Sequence, residues 1–280
     1  MNVVGDPALI SAEEILCQTP RMTIAIARSK ARIAQALALR ARIFREEFAP
    51  PQTPSCVDAQ RKPAELLPDT SGLSKSPAPM RDEDLFDPWC AHLVAIETSS
   101  DRVVGTYRIL TPEAARQLGC RYTEQEFWLT RLDPIRDAIV ELGRACVDPA
   151  FRGGATLMLM WSGLARWLAG QPYTHLMGCV SLSLADGGSL AKALYDQLMP
   201  SYDAGECFRV WPIHRLRPGI APAPGQAELP PLLRAYLRAG ARIMGEPCVD
   251  QELHCVDFPV LLPLERLDLR FRQRFAALAA

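Results

Sequence analysis

The sequence predicts an α/β fold with a mixed central β-sheet flanked by helices. Strand-like runs alternate with helix-like ones along the 280 residues. Two of the strands are joined by a four-residue turn, which makes them an antiparallel hairpin. A purely parallel sheet has no such hairpin, so the sheet is expected to be mixed.

Met22 to Ala27 reads as the first strand. Ser29 is placed to cap a helix in which Ile33, Leu37, Ala41, Phe44 and Phe48 recur at steps of three and four. Pro50-Pro51 must stop that helix. Residues 49–80 hold seven prolines and few large apolar groups, the composition of a long loop or partly disordered insertion. His92 to Glu97 and Arg102 to Leu110 are the hairpin strands, turning at Thr98-Ser99-Ser100-Asp101. Helical pieces follow near 111–118 and 123–128. Ala138 to Val147 reads as a strand ended by Asp148-Pro149, and Gly153-Gly154 opens a helix over about 155–169. Thr174 to Ser181 is the next strand. Gly187-Gly188-Ser189 leads a short helix through Leu198, and 207–214 reads as a strand. A Pro/Gly/Ala-rich linker over 218–230 precedes a helix from Leu232 to Met244, a strand from Leu253 to Leu262 and a terminal helix from Glu265 to Leu278. The domain reading is an N-terminal tail over 1–20 and one domain over 21–280, with the insertion at 49–80 and a C-terminal helical extension over 230–280.

Bulk properties narrow the function. Lys and Arg number 31 against 32 Asp and Glu, a net charge of −1, so no global field draws the protein to nucleic acid or anionic lipid. Nine scattered cysteines, with Cys248 and Cys255 the closest pair, suit reduced thiols in a cytoplasmic protein better than a disulfide framework or a zinc site. No segment is long and apolar enough to span a bilayer, so any membrane contact is expected to be peripheral, at the inner membrane.

The most informative segment runs from Val140 to Ala155: a strand, a turn, then Arg152-Gly153-Gly154-Ala155 opening a helix. Helix N-termini carry unpaired amides and the positive end of the dipole, and small residues let an anion approach them. Neither a dinucleotide fingerprint nor a Walker loop is present. The run resembles the short form of the Arg/Gln-x-x-Gly-x-Gly/Ala loop of the GNAT acyltransferases, which wraps a pantetheine-side phosphate. The runs Asp84 to Val94, Val104 to Leu110 and Glu141 to Val147, with Met177 to Ser181, Leu233 to Ala241 and Gly245-Glu246-Pro247, are similar to the ornithine-lipid N-acyltransferases. That resemblance implies a GNAT fold. It also implies transfer of a 3-hydroxyacyl group from acyl carrier protein to the α-amine of L-ornithine, giving lyso-ornithine lipid. The 4′-phosphopantetheine of the carrier would be co-substrate, with no permanently bound cofactor, and an O-acyltransferase would follow in the same pathway. A more distant likeness is to the acyl-homoserine lactone synthases, through Arg40 with Phe44, Asp84 with Asp87, Arg108, and Glu141 with Arg144. Those synthases carry a Trp soon after the Phe, where this chain has Phe48-Ala49-Pro50-Pro51. Two other readings stay open: an N-acyltransferase for glycine or another amino acid, and a non-catalytic acyl-carrier or lipid-surface binding protein on the same scaffold.

Such a reaction needs a base for the ammonium of the acceptor. Glu141, in the middle of a strand where a carboxylate is unusual, is the candidate. Its alternative role is an ion pair with Arg144, which would need a bulge because odd spacing puts the two on opposite faces. Glu141, Arg144 and Asp87 are the expected catalytic residues. Arg40, Phe44, Asp84, Arg108, Cys146 and Val147 are the expected substrate contacts, with a backbone amide near Cys146 or Val147 as oxyanion donor. Arg152, Gly153, Gly154 and Ala155 are expected at the phosphopantetheine. Asp84 and Asp87 could receive the acceptor's ammonium groups or simply cap a loop, while Arg40 and Arg108 could orient them or hold its carboxylate. A Cys146 nucleophile paired with His92 or His175 is the lesser alternative. No metal is expected: Asp84, Asp87, Cys90 and His92 match no zinc spacing. Phe44, Trp89 and Trp161 read as core. Arg266, Arg270, Arg272 and Arg274 make a basic terminal helix that could face an acidic carrier protein.

Overall fold

The computed structural model describes residues 13–48 and 82–267. The insertion at 49–80 and most of the expected terminal helix, with Arg270, Arg272 and Arg274, lie outside the described residues.

The chain opens with an edge hairpin, β1 (Glu14–Gln18) and β2 (Met22–Ala27), followed by helix α1 (Lys30–Phe48). The predicted hairpin is β3 (Ala91–Glu97) and β4 (Arg102–Leu110). After α2 (Pro112–Leu118) come a two-residue strand β5 (Phe127–Trp128) and the strand β6 (Ile139–Val147). Then follow α3 (Ala155–Leu168), β7 (His175–Ser183), α4 (Ser189–Tyr202), β8 (Trp211–Pro212) and α5 (Pro231–Ala239). Strands β9 (Arg242–Ile243), β10 (Cys248–Asp250) and β11 (Cys255–Pro263) complete the described chain.

The main sheet has the order β1-β2-β3-β4-β6-β7-β11-β10, with β9 also on β11. Its β6–β7 pair is parallel and its other pairs are antiparallel, which is the mixed sheet expected. Helix α1 packs on one face, where Ala36, Leu39 and Ile43 meet Ala25, Val94 and Ile96. On the other face Met160, Trp161 and Leu164 of α3 meet Ile24, Leu93 and Ile109. Leu194 and Leu198 of α4 and Leu233 and Leu237 of α5 close a second core over β7 and β11. Ser29 caps α1 as predicted, its Oγ accepting from the Arg32 amide at 3.1 Å.

Several expectations need correction. Glu14–Gln18, read as tail, is a strand; Leu16 is its one fully buried apolar side chain, so its pattern is faint. Residues 123–128 are not helical throughout. A 3-10 turn over Tyr122–Gln125 gives way to β5, which pairs with β8 in a separate ribbon. The strand expected over 207–214 shrinks to β8, since Pro212 offers no amide to continue a ladder. Helix α4 runs past Leu198 to Tyr202. The helix expected to reach Met244 ends at Ala239, where Gly240 turns the chain with φ 110°. The last residues described, Leu264–Arg266, form a 3-10 turn.

Candidate active site

The site forms where two strands part. β6 and β7 pair only from Ile139↔His175 to Glu141↔Met177, although they run on to Val147 and Ser183. Beyond Glu141 their facing backbone groups leave the ladder. On its other edge β6 carries the anticipated bulge. Register jumps from Thr106↔Cys146 to Arg108↔Gly143, so Arg144 and Ala145 together oppose Tyr107. Arg144 takes φ 50° there, a strained value for a side-chain-bearing residue.

A cavity of about 400 Å³ occupies the opening. Its walls include Arg152 and Gly154 of the β6–α3 loop, Glu141 and Arg144 of β6, Tyr122 and Asp257. Gly154 caps α3 at φ 84°, and no side chain caps its first turn. Gly153, Gly154 and Ala155 are exposed. Two ion pairs from α1 hold this loop: Arg42 with Asp148 at 2.7 Å, and Glu47 with Arg152. Arg152 also donates to the Val147 carbonyl at 2.9 Å. A groove therefore leads from uncapped helix amides to Glu141.

Glu141 is 4% exposed. Its carboxylate accepts the amides of Tyr122 at 3.1 Å and Thr123 at 2.7 Å, together with the Thr123 hydroxyl. The bulge does not create the mutual ion pair considered for Glu141 and Arg144. Instead both grip Tyr122: Glu141 takes its amide, while Arg144 donates to its hydroxyl at 3.3 Å and lies over its ring at 4.8 Å.

The expected acceptor-binding residues form a second layer. Arg40, wholly buried, binds Asp87 at 2.6 and 3.3 Å and Asp82 at 2.8 Å. Arg108 donates to Asp84 at 2.6 Å and lies 3.5 Å from Asp87; Arg144 reaches Asp84 at 3.3 Å and Asp82 at 3.4 Å. Burial opposes the charge on Asp84, but the Arg108 hydrogen bonds and the Arg144 field hold its carboxyl below the usual range. Asp87 further accepts the Asp84 amide. Three arginines thus face three aspartates. Of these groups Arg144 lines the cavity, while Arg40, Asp84, Asp87 and Arg108 stand outside its walls. These ion pairs and the ring contacts of Arg108 and Arg144 meet at Tyr122, and Asp87 lies behind them, bonded to Arg40.

Phe44, Cys146 and Val147 line the cavity. Burial pushes the Cys146 thiol up to about 12, and the two proposed bases are engaged elsewhere: His92 with the Asp87 carbonyl, His175 with Thr174. A Cys146 nucleophile is therefore disfavoured. Asp84, Asp87, Cys90 and His92 do not converge as a metal set; among the described residues the group that does is Asp250, Cys255 and Asp257. Trp161 is buried as expected, but Trp89 is 40% exposed.

Sequence reading missed other parts of the site. Tyr107, opposite the bulge, receives a hydrogen bond from Trp161 at 3.2 Å and shares one with Tyr236 at 2.8 Å. Tyr236 stacks on Trp161 at 5.4 Å. Both rings border a second, apolar cavity of about 260 Å³, which shares Leu142, Cys179 and Tyr236 with the first. Asp257 was hidden inside an apolar strand, although it carries the signal that marks Glu141, a carboxylate interrupting such a run.

An acetyltransferase (GNAT) domain profile matches residues 69–162. The chain is 28% identical over 280 residues to an L-ornithine N(alpha)-acyltransferase of Rhizobium meliloti (strain 1021), covering 95% of this chain and 88% of that one. It is 28% identical over 278 residues to the Brucella abortus (strain 2308) protein of the same name, covering 94% and 92%. Among solved structures, a CoA-dependent acyl-homoserine lactone synthase aligns at 16% identity with a TM-score of 0.44, covering 89% of this chain and 81% of that one. The chain has the GNAT fold and, over nearly its whole length, resembles the L-ornithine N(alpha)-acyltransferases.

Proposed function

We propose that the protein transfers a 3-hydroxyacyl group from acyl carrier protein to the α-amine of L-ornithine, giving lyso-ornithine lipid. The observation that carries this reading is the single cavity bounded by both the uncapped start of α3 and Glu141. The names of the similar proteins support ornithine as acceptor.

In this reading the pantetheine phosphate meets the first-turn amides of α3, with Arg152 and Gly154 beside it. The thioester lies along the parted strand, where a backbone amide near Cys146 or Val147 would face its developing oxyanion. The acyl chain enters the apolar cavity beside Leu142, Trp161 and Tyr236. The neutral amine attacks the carbonyl carbon: the C–N bond forms, the C–S bond breaks, and the carrier leaves as its thiol. Glu141 accepts the amine proton, directly or through a water, and returns it to the departing sulfur. The other carboxylates on the cavity wall are Glu47, paired with Arg152, and Asp257. The 3-hydroxyl of the product would then serve a separate O-acyltransferase.

The test is a thiol-release assay with purified protein and 3-hydroxyacyl carrier protein. Release should require ornithine. Release with glycine or another amino acid, and none with ornithine, would reject the acceptor while keeping the chemistry. Binding of the carrier without turnover of any amine would favour a non-catalytic role.

A further inference from the structure

Glu126 and Asp257 make a buried acidic pair that the acyl-transfer chemistry leaves unused. Glu126 is 5% exposed and Asp257 2%. Asp257 sits mid-way along β11, opposite Ser181 of β7. It accepts the Ser181 hydroxyl at 2.5 Å and the Cys255 thiol at 3.5 Å. Glu126 sits at the foot of the β5–β8 ribbon, where its carbonyl accepts the Ile213 amide. Its carboxyl oxygens receive no close, well-directed hydrogen bond. Its polar neighbours are Asp257, the Tyr122 hydroxyl and the Cys179 thiol; those three residues line the large cavity, and Glu126 stands directly behind them.

The charge around the pair is one-sided. Asp250 adds a third carboxylate, and the strongest influences on either acid come from burial, other carboxylates, hydroxyls and thiols. The framework of Arg40, Arg108 and Arg144 is by contrast matched by Asp82, Asp84 and Asp87. Burying acids without a cation costs stability. The pair becomes favourable when a cation arrives from outside, and a primary ammonium with three donors suits it.

We propose that Asp257 on the cavity wall, with Glu126 behind it, seats the side-chain ammonium of the acceptor, and so selects a diamino acid over a neutral one. This rests on the acyl-transfer reading of the same cavity, in which the α-amine faces the thioester near Glu141. One end of the acceptor reacts while the other is held by the acidic pair, with the Ser181 hydroxyl fixing Asp257. A neutral side chain of the same length would bring no cation to the two acids in the closed site.

The test compares ornithine with norvaline, its analogue lacking the δ-amine, using the full chain and 3-hydroxyacyl carrier protein in chelator-treated buffer. For the wild type, kcat/KM should favour ornithine by on the order of 100-fold or more, because a site built to bond a polar group rejects the analogue without it. In the double variant E126Q/D257N the kcat/KM values for ornithine and norvaline should converge, and an unchanged circular-dichroism spectrum reports an intact fold. Equal use of both acceptors by the wild type, or undiminished preference in the variant, overturns the proposal. If the wild type acylates no amino acid, the acyl-transfer reading fails separately and calorimetry with ornithine alone decides. Binding that E126Q/D257N abolishes supports the seat; binding absent from the wild type, or unchanged in the variant, sinks it.

Discussion

The carbonyl oxygen of Leu142 lies 2.2 Å from where a Cβ on Gly178 would stand. The two residues face each other one step beyond the last paired position of β6 and β7. Only a residue without a side chain lets the strands come this close before they part. The obstacle is backbone, so Gly178→Ala has to move a strand. It should destabilise the protein by about 1–3 kcal/mol, the usual cost of overpacking, and lower turnover by disturbing Glu141. Urea unfolding of G178A checks the first effect and thiol release the second.

Glu141 can be separated from its structural duty by choice of substitution. Glu141→Gln keeps the shape and an acceptor oxygen for the Thr123 amide but removes the base. It should lower kcat by about 10²–10⁴-fold while carrier-protein binding persists. Wild-type turnover by E141Q would remove the base role. Glu141→Ala should in addition lose stability, because two buried amides lose their acceptor.

The Arg40–Asp87 pair gives a stability prediction independent of catalysis. Asp87→Ala removes two of Arg40's hydrogen bonds and leaves Asp82 as its counter-charge, so it should cost up to about 3 kcal/mol in unfolding free energy, the low end for a broken buried pair. Replacing both by apolar residues of similar volume should recover part of that loss despite Asp82, which Arg40 also binds. Equal losses in the single and double variants would show that Asp87 acts outside this pair.

Glu126 links stability to pH. Burial first, then repulsion from Asp257 and Asp250, raises its carboxyl to about 9, with the Tyr122 hydroxyl and Cys179 thiol partly offsetting this. Asp257 is raised too. The folded state therefore holds a proton that the unfolded chain has released between its ordinary value of 4.5 and about 9. Stability of the acceptor-free protein should fall as pH rises through that window and level off above it. Thermal melts from pH 5 to 9 should show this slope, and Glu126→Gln should flatten it.

Much of the fold is legible because β2, β3, β4 and β6 are apolar runs bounded by turns, so period and length agree. What escapes is set by distant partners. Arg40 reads as a substrate contact, but it is wholly buried because Asp82 and Asp87, distant in the chain, come to meet it. Glu126, in the run Glu124-Gln125-Glu126, falls in the stretch read as helical, and its burial is set by the pairing of β5 with β8. Glu141 stands out in the sequence by interrupting an apolar strand. Tyr122, which joins it to Arg144, carries no local mark.

The nine-residue ladder between β7 and β11 joins positions 72 to 88 apart in the chain, from Cys255↔Ser183 to Pro263↔His175. Until β11 has emerged from the ribosome, one edge of β7 is open to pairing with other chains, and the wall that Asp257 supplies is missing. The nascent polypeptide can complete the hairpins of β1 to β4 early, from contacts close in sequence. The pocket is among the last things to form, so a chain interrupted before residue 255 would be prone to aggregation and unable to hold an acceptor.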